Sequence, residues 1–305
     1  MWDEVVALAV WQHGVLTLDD FLGLGVPART VQRWAAEGRL VRLEPATYGV
    51  IGQMDDHAHL YALLRRYPSA VASHRCAACI HGLDGIDGYR LEVTVPRACG
   101  LRGPLVHRAS DVVVLEVVER DGLRFTDLSR TLCDLPPFLD DEGLELAVES
   151  GLRLGADYGE LLERATVLAR PGKRGAGTLR DHLLSRGPVP AAMSAAETLY
   201  HRCLRQHGVE PAVRQHEVRD SSGRLVAVLD AAWPRVKRYA EIDGYAFHSD
   251  RKAFQHDRSR QNALTVLGWS PLRFTFSDVR SFGRRTAWIT KQALLCQEAP
   301  HAGAS

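Results

Sequence analysis

Lysine is nearly absent from this chain: only four of its 38 basic residues are lysine, and arginine supplies the rest. So general a bias can come from genome composition, so arginine abundance alone is no argument for a nucleic-acid partner. No apolar run approaches the ~20 residues that cross a bilayer, which excludes a membrane-spanning helix. The opening Met1-Trp2-Asp3-Glu4 is acidic and lacks the basic flank of a secretory leader, so a cytoplasmic location is expected. Cysteine is sparse as well. Six residues, at positions 76, 79, 99, 133, 203 and 296, are scattered too widely for a disulfide framework, and reduced thiols are expected. No internal repeat is visible.

What is present is an ordinary globular composition, 46% hydrophobic and 25% charged, in 305 residues that leave room for two or three cores. The net charge of +1 hides an asymmetry. Residues 194–305 hold 17 Lys and Arg against 11 Asp and Glu, whereas residues 1–50 hold four against six. The C-terminal third can therefore draw a polyanion by its own field. Helix and strand patterns alternate irregularly, which predicts an α/β protein (α+β overall) with parts at 1–52, 53–190 and 194–305.

In the first part Val5, Leu8 and Ala9 share one helix face. Thr17-Leu18-Asp19-Asp20 reads as a helix cap with an acidic N3, and the helix it opens stops at Gly23-Leu24-Gly25. Pro27 suits the first turn of a helix over 28–37, and Gly38 suits its C-terminal stop. Val31, Trp34 and Ala35 then face inward, which turns Arg29, Thr30, Gln32 and Arg33 outward. Arg39–Leu43 and Thr47–Ile51 alternate like a hairpin around Glu44-Pro45-Ala46. Helix, helix–turn–helix and hairpin make a winged helix-turn-helix.

Gly25-Val26-Pro27, Gly38-Arg39-Leu40 and Tyr48-Gly49-Val50 resemble the N-terminal domain of AbiEi-type antitoxins, autoregulating repressors of an abortive-infection toxin–antitoxin system. The resemblance implies DNA and a cognate toxin protein as partners. Arg29, Gln32 and Arg33 would enter the major groove, with Arg42 on phosphate from the wing. Against this stands the net −2 of residues 1–50, because phosphate neutralisation dominates DNA affinity. A protein-docking module with solvated arginines is the alternative, distinguished by binding that ignores ionic strength.

The middle part predicts helices over 58–64 and 73–81, the second capped by Ser73, and a strand over 91–96 partnered by 112–118. Ser73-His74-Arg75, His81-Gly82-Leu83 and Ser129-Arg130-Thr131-Leu132 resemble the same antitoxin-like proteins. His74, Cys76, Cys79 and His81 imitate a zinc knuckle, but one helix cannot wrap all four around a tetrahedron, and packed cysteine is expected. Pro171 to Gly177 reads as a loop and Gly187-Pro188-Val189-Pro190 as a boundary.

From Ser194 the pattern predicts a capped helix over 195–205 carrying Glu197, strands over 213–218 and 225–229, the second ending at Asp230, and a return strand through Glu241. A helix over 250–267 with Phe254, Leu264 and Leu267 inward, a strand over 269–275 and a helix over 284–296 follow. A hairpin that sets Asp230 beside Glu241 confronts two carboxylates, each desolvated beside a like charge. A divalent cation relieves that, and Mg²⁺ or Mn²⁺ uses such oxygen ligands together with water and phosphate.

Asp230, Glu241-Ile242-Asp243-Gly244, His248, Asp257-Arg258, Gly268-Trp269 and Arg273 resemble a family within the PD-(D/E)-x-K nucleases related to the very-short-patch repair endonuclease. The resemblance covers residues 194–282. It implies a restriction-endonuclease-like core in which Asp230, Glu241 and the Ile242 carbonyl ligate metal and Glu197 supports them. His248 would move a proton or contact phosphate, and Arg258 would neutralise phosphate. The superfamily lysine is Asp243 here, so Asp243 is a third ligand or the site is weak. Singly, Asp230 could cap a turn and Glu241 could pair with Arg258 or Arg273. The expectation is a Mg²⁺-dependent DNA endonuclease in phage defence or a toxin–antitoxin system. The alternative is a non-cutting, antitoxin-like repressor.

Overall fold

Apolar spacing at the N-terminus closes a small core before any long-range strand pairing is needed. The computed structural model describes residues 1–103, 105–109, 116–170, 175–243 and 251–296. It divides into two compact units, one of residues 1–138 with 164–177 and one of 139–163 with 178 onward. The first unit opens with α1 (Trp2–Val10), β1 (Val15–Thr17), α2 (Leu18–Gly23), α3 (Ala28–Ala36), β2 (Leu40–Glu44) and β3 (Thr47–Val50). The Thr17 side chain accepts from the Asp20 N–H and Asp20 returns the bond, a full capping box that starts α2. Gly38 follows α3 at φ +74°, the left-handed turn that a Cβ resists. The strands form a sheet in the order β1-β3-β2. Val5, Leu16, Phe21, Val31 and Trp34 are buried between sheet and helices, each contributing roughly 1.5–3 kcal/mol. This is the expected winged helix.

The same unit continues with α4 (Ala58–Arg66), β4 (Val71–Ala72), α5 (His74–His81), β5 (Val93–Val95), β6 (Val106–Arg108), β7 (Val117–Arg120), β8 (Leu123–Thr126) and α6 (Leu128–Asp134). Its sheet runs β6-β5-β4-β8-β7. The expected partner of the strand at 91–96, residues 112–118, is corrected here for the part that is described, since 112–115 lie outside the described residues. Val117 and Val118 belong to β7, which pairs with β8, while β5 pairs with β4 and β6. Ser73 precedes α5 but makes no side-chain cap; its hydroxyl accepts instead from Thr94 at 2.7 Å. Cys76 Sγ lies 3.6 Å from the Tyr89 hydroxyl, and His81 donates to the Thr126 carbonyl at 2.9 Å. Glu92 is fully buried and held by Arg75 through both carboxylate oxygens, at 2.6 and 3.1 Å. Beside this pair His74 stacks on His107 at 3.6 Å. Burial, with the neighbouring His107 charge, pushes the His74 imidazole down to about 3.

α7 (Asp141–Arg153), α8 (Tyr158–Leu168) and α9 (Ala176–Arg186) come next in sequence. The rest of the second unit is α10 (Ala195–Gln206), β9 (Val213–Arg219), β10 (Leu225–Trp233), β11 (Arg238–Asp243), α11 (Arg251–Val266), β12 (Ser270–Thr275) and α12 (Phe276–Leu295). The order helix, three strands, helix, strand, helix is as the sequence predicts. The sheet runs β12-β11-β10-β9, antiparallel except that β12 lies parallel to β11. Ala231, Ala240 and Ile242 pack with Leu199 and Tyr200 of α10 and Val279 of α12. Ala232 and Tyr239, one residue out of phase, pack with Leu264 of α11 and Trp269. Two boundaries differ from expectation. β10 runs on to Trp233, so Asp230 sits within a strand and not at its end. α12 starts at Phe276 behind a Thr275–Asp278 capping box, and Phe282 interrupts it at φ −128°. The Cys203 thiol donates to the Gly283 carbonyl at 3.0 Å, beside that interruption. The fold is α+β overall, and among the described residues no helix is long and apolar enough to cross a membrane.

Candidate nucleic-acid interface and carboxylate cluster

On α3 the buried Val31 and Trp34 fix the rotation of the helix. Arg29, Gln32 and Arg33 therefore share the opposite, exposed face, spaced three and four residues apart. Among the described residues Arg29 has no ion-pair partner, while Arg33 lies 3.5 Å from Glu37 one turn on. Arg39, adjacent in sequence, is withdrawn from this face. Its guanidinium stacks 3.6 Å over the Trp2 ring, which meets Trp34 edge-on at 4.8 Å. Arg42 of β2 is exposed on the wing. The wing is short: Pro45 and Ala46 alone form its turn, with Ala46 at φ +58°, and Glu44 stands at its base. Helix α3 thus offers two cations and an amide at one surface, and the wing adds one cation.

In the second unit the strand register builds the other candidate site. Ala231 pairs with Ala240 in β10–β11, and one residue further that register sets Asp230 across from Glu241. On the β9 side the flanking pairs Leu229–His216 and Ala231–Arg214 set Gln215 across from Asp230. On the β12 side Glu241 pairs with Arg273. One row across the sheet therefore reads Gln215, Asp230, Glu241, Arg273. The Gln215 amide donates to Glu197 at 3.3 Å, which joins the N-terminus of α10 to the row.

The Glu241 charge in this row is already answered. Arg260 of α11 donates to one Glu241 oxygen at 2.5 Å and Arg273 to the other at 3.2 Å. Glu197 is 5% exposed and accepts from the Met193 N–H at 2.9 Å and the Ser194 hydroxyl at 3.2 Å. Burial raises the Glu197 carboxyl despite those bonds and the Arg153 and Arg214 charges. Ile242 points its side chain into the core on the other face. Arg258 is exposed on α11.

Asp243 aligns by backbone with Thr275, but its side chain lies outside the described residues, as do Gly244, His248 and the side chains of Phe254 and Asp257. Among the described residues no group of three metal-ligating side chains gathers. The donor set still suits a hard cation in kind, since the register brings two carboxylates together. A cation at Glu241 must displace Arg260 or Arg273. Sequence reasoning missed Arg260, although a signal was present. It precedes the inward Leu264 by four residues and so shares its face, whereas Arg258 does not.

Comparison with known proteins bears on the first site. Residues 3–51 match the model of a family described as transcriptional regulator, AbiEi antitoxin. That stretch is an AbiEi antitoxin-type DNA-binding regulator domain. Two proteins from two strains of Mycobacterium tuberculosis, each described as uncharacterized, are 26% identical over 224 residues. The match spans 70% of this chain and 80% of each relative.

Proposed function

We propose that this chain is a non-cutting DNA-binding transcriptional regulator of a toxin–antitoxin system, with its DNA contacts on α3. The observation that supports this reading is the exposed Arg29–Gln32–Arg33 face within the residues matched to the regulator family. Arg29 and Arg33 would read guanine edges or phosphates, Gln32 an adenine edge, and Arg42 a flanking phosphate. Residues 1–52 would carry the DNA contact, and 53–190 with 194–305 would serve the cognate toxin protein. Operator selection from random duplexes, followed by fluorescence anisotropy across a salt series, tests it. A selected duplex whose affinity falls steeply with salt supports the reading, and failure to select any duplex overturns it.

A second reading has its own support in the alignment of Asp230 with Glu241: a metal-dependent DNA endonuclease of the PD-(D/E)-x-K kind. Asp230, Glu241, the Ile242 carbonyl and Asp243 would hold Mg²⁺ or Mn²⁺, which supplies an activated water and charge stabilisation at a phosphodiester oxygen. Glu197 would steady the row through Gln215, Arg258 would meet phosphate from its exposed position, and His248 would move a proton. Arg260 and Arg273 on Glu241, together with Asp243 in place of a lysine, favour the non-cutting regulator over this reading. Plasmid nicking with Mg²⁺ or Mn²⁺ that disappears in Asp230→Ala and Glu241→Ala would reverse that preference.

A further inference from the structure

The second unit contains a cavity of about 810 Å³ that neither Asp230, Glu241 nor Glu197 lines. It lies between α7, α9, α10 and the start of β9, and it has a polar wall and an apolar wall. The polar wall begins with two buried carboxylates. Glu149, 1% exposed, takes both Arg186 and Arg214. Burial alone would raise its carboxyl, but the Arg186 bonds and the two guanidinium charges together bring it down to about 2. Glu145, 4% exposed, takes Arg202 at 3.1 Å and Arg205 at 2.6 Å.

Both buried carboxylates are thus paired, while guanidinium donors are left over. Arg205 reaches Glu145 through Nη2 alone, and Arg214 bonds Glu149 and the Pro190 carbonyl through Nη1 alone. The remaining N–H groups of both side chains have no partner among the described residues. His201 of α10 makes the point independently. It is 6% exposed and lines the cavity, yet its Nε2 has no hydrogen-bond partner among the described residues. Burial, reinforced by the Arg214 charge, holds this imidazole neutral with its pKa at about 3. A buried polar atom without a partner costs about 1–3 kcal/mol, and such a cost marks a place where a ligand atom belongs.

The apolar part of the lining is formed by Val209, Pro211, Ala212 and Val213. The volume falls within the range of small-molecule sites, far beyond what an inorganic anion fills. Leftover guanidinium donors call for an oxyanion, and the apolar wall calls for a flat ring or chain. We propose that this cavity binds an organic phosphate of mononucleotide size, its phosphate on Arg205 and Arg214, its ring against Val209–Val213 and a polar atom on His201 Nε2.

The proposal is independent of DNA binding and of cleavage. Isothermal titration of the full chain with AMP, GMP, CMP and UMP in turn, and with inorganic phosphate and adenosine as fragments, tests it. The expected result is saturable binding of at least one mononucleotide, roughly tenfold or more tighter than either of its fragments. Arg205→Gln and His201→Phe should each weaken that binding roughly tenfold, whereas Asp230→Ala should leave it unchanged. Melting curves establish that the variants fold. Should His201→Phe not fold, Arg205→Gln decides, since the Arg205 side chain is half exposed. Absence of binding by all four nucleotides overturns the proposal. So does binding that both variants leave intact, or phosphate binding as tight as nucleotide binding.

Discussion

Helix α3 and the second unit use arginine in opposite ways. On α3 of the first unit, among the described residues, Arg29 stands exposed without an ion-pair partner and Arg33 is tied only to a solvent-exposed Glu37. In the second unit Arg186, Arg214, Arg202, Arg205, Arg260 and Arg273 all hold carboxylates. Residues 194–305 carry a net positive charge in sequence, yet much of that charge is compensated by carboxylates within the second unit. Net charge by region is therefore a poor guide to where a polyanion binds. What counts is the number of guanidiniums with donors still open at the surface. The N-terminal part is negative overall because Asp3, Glu4, Asp19 and Asp20 lie elsewhere, Asp20 serving as a helix cap and pairing with Arg65 at 3.4 Å.

Removing an engaged carboxylate should have the largest effect on stability. Glu149→Gln leaves Arg186 and Arg214 facing each other without a counter-charge, and a loss of about 3–5 kcal/mol is expected in urea unfolding. Arg29→Ala, by contrast, should change stability by under about 0.5 kcal/mol. Equal losses at the two positions would break the comparison.

For DNA the order reverses. Arg29→Ala with Gln32→Ala should weaken binding to a selected duplex by roughly 100-fold, at about 1–3 kcal/mol per base contact. Arg42→Ala should cost less, apply to all sequences alike and flatten the salt dependence by about one ion. Anisotropy titrations at several salt concentrations separate these outcomes. A double variant that binds as wild type would move the interface off α3.

Each unit also holds a strongly desolvated neutral histidine, His74 in the first and His201 in the second, both held at about 3. Their folded-state values lie below the unfolded value of 6.5, so the unfolded chain binds more protons between those limits. Stability is then full above pH 6.5 and falls as pH drops toward 3. At pH 5 the expected loss is roughly 2 kcal/mol per histidine. Glu149, depressed to about 2, adds a further loss only below its unfolded value of 4.5. Urea midpoints at pH 7 and pH 5 read the first loss, and His201→Phe should remove about half of it. A pH-independent midpoint would show that neither imidazole is held neutral.

How far the sequence disclosed this molecule depended on the range of the signal. The winged helix was legible because the Thr17–Asp20 box, Gly38 and the Glu44-Pro45-Ala46 hairpin all act within a few residues. The five-stranded sheet was not. β4 has two residues, and it joins β8 by a parallel pairing between Ala72 and Phe125 that no local pattern announces. The extension of β10 through Ala231-Ala232 was missed because alanine is a poor strand former, overruled here by burial of both. The hairpin of β10 with β11 was legible, since a hairpin register is a short-range property, and continuing it by one residue sets Asp230 across from Glu241. The partners of Glu241 came from α11 and β12, nineteen and 32 residues away, and only Arg273 was foreseen.

Those partners permit the finest test of the comparison. If Arg260 and Arg273 take the place of a cation at Glu241, removing one should admit the cation. Arg260→Gln takes away the bond at 2.5 Å and leaves Arg273 on the other carboxylate oxygen. Glu241 then keeps a counter-charge, so the fold should lose only about 1–2 kcal/mol, within the range for a partly exposed charged pair. Mn²⁺ affinity, followed by paramagnetic relaxation of water protons, should rise roughly tenfold, and Glu241→Gln in the same background should abolish the gain. A rise in affinity together with plasmid nicking would show that this sheet retains a nuclease site masked by its own arginine. A rise without nicking would leave the carboxylate row as a cation site lacking the group that activates water. No rise at all would mean that Glu241 serves as the partner of guanidiniums and not of a cation, and the open arginines of α3 would then be the stronger candidate for contact with nucleic acid.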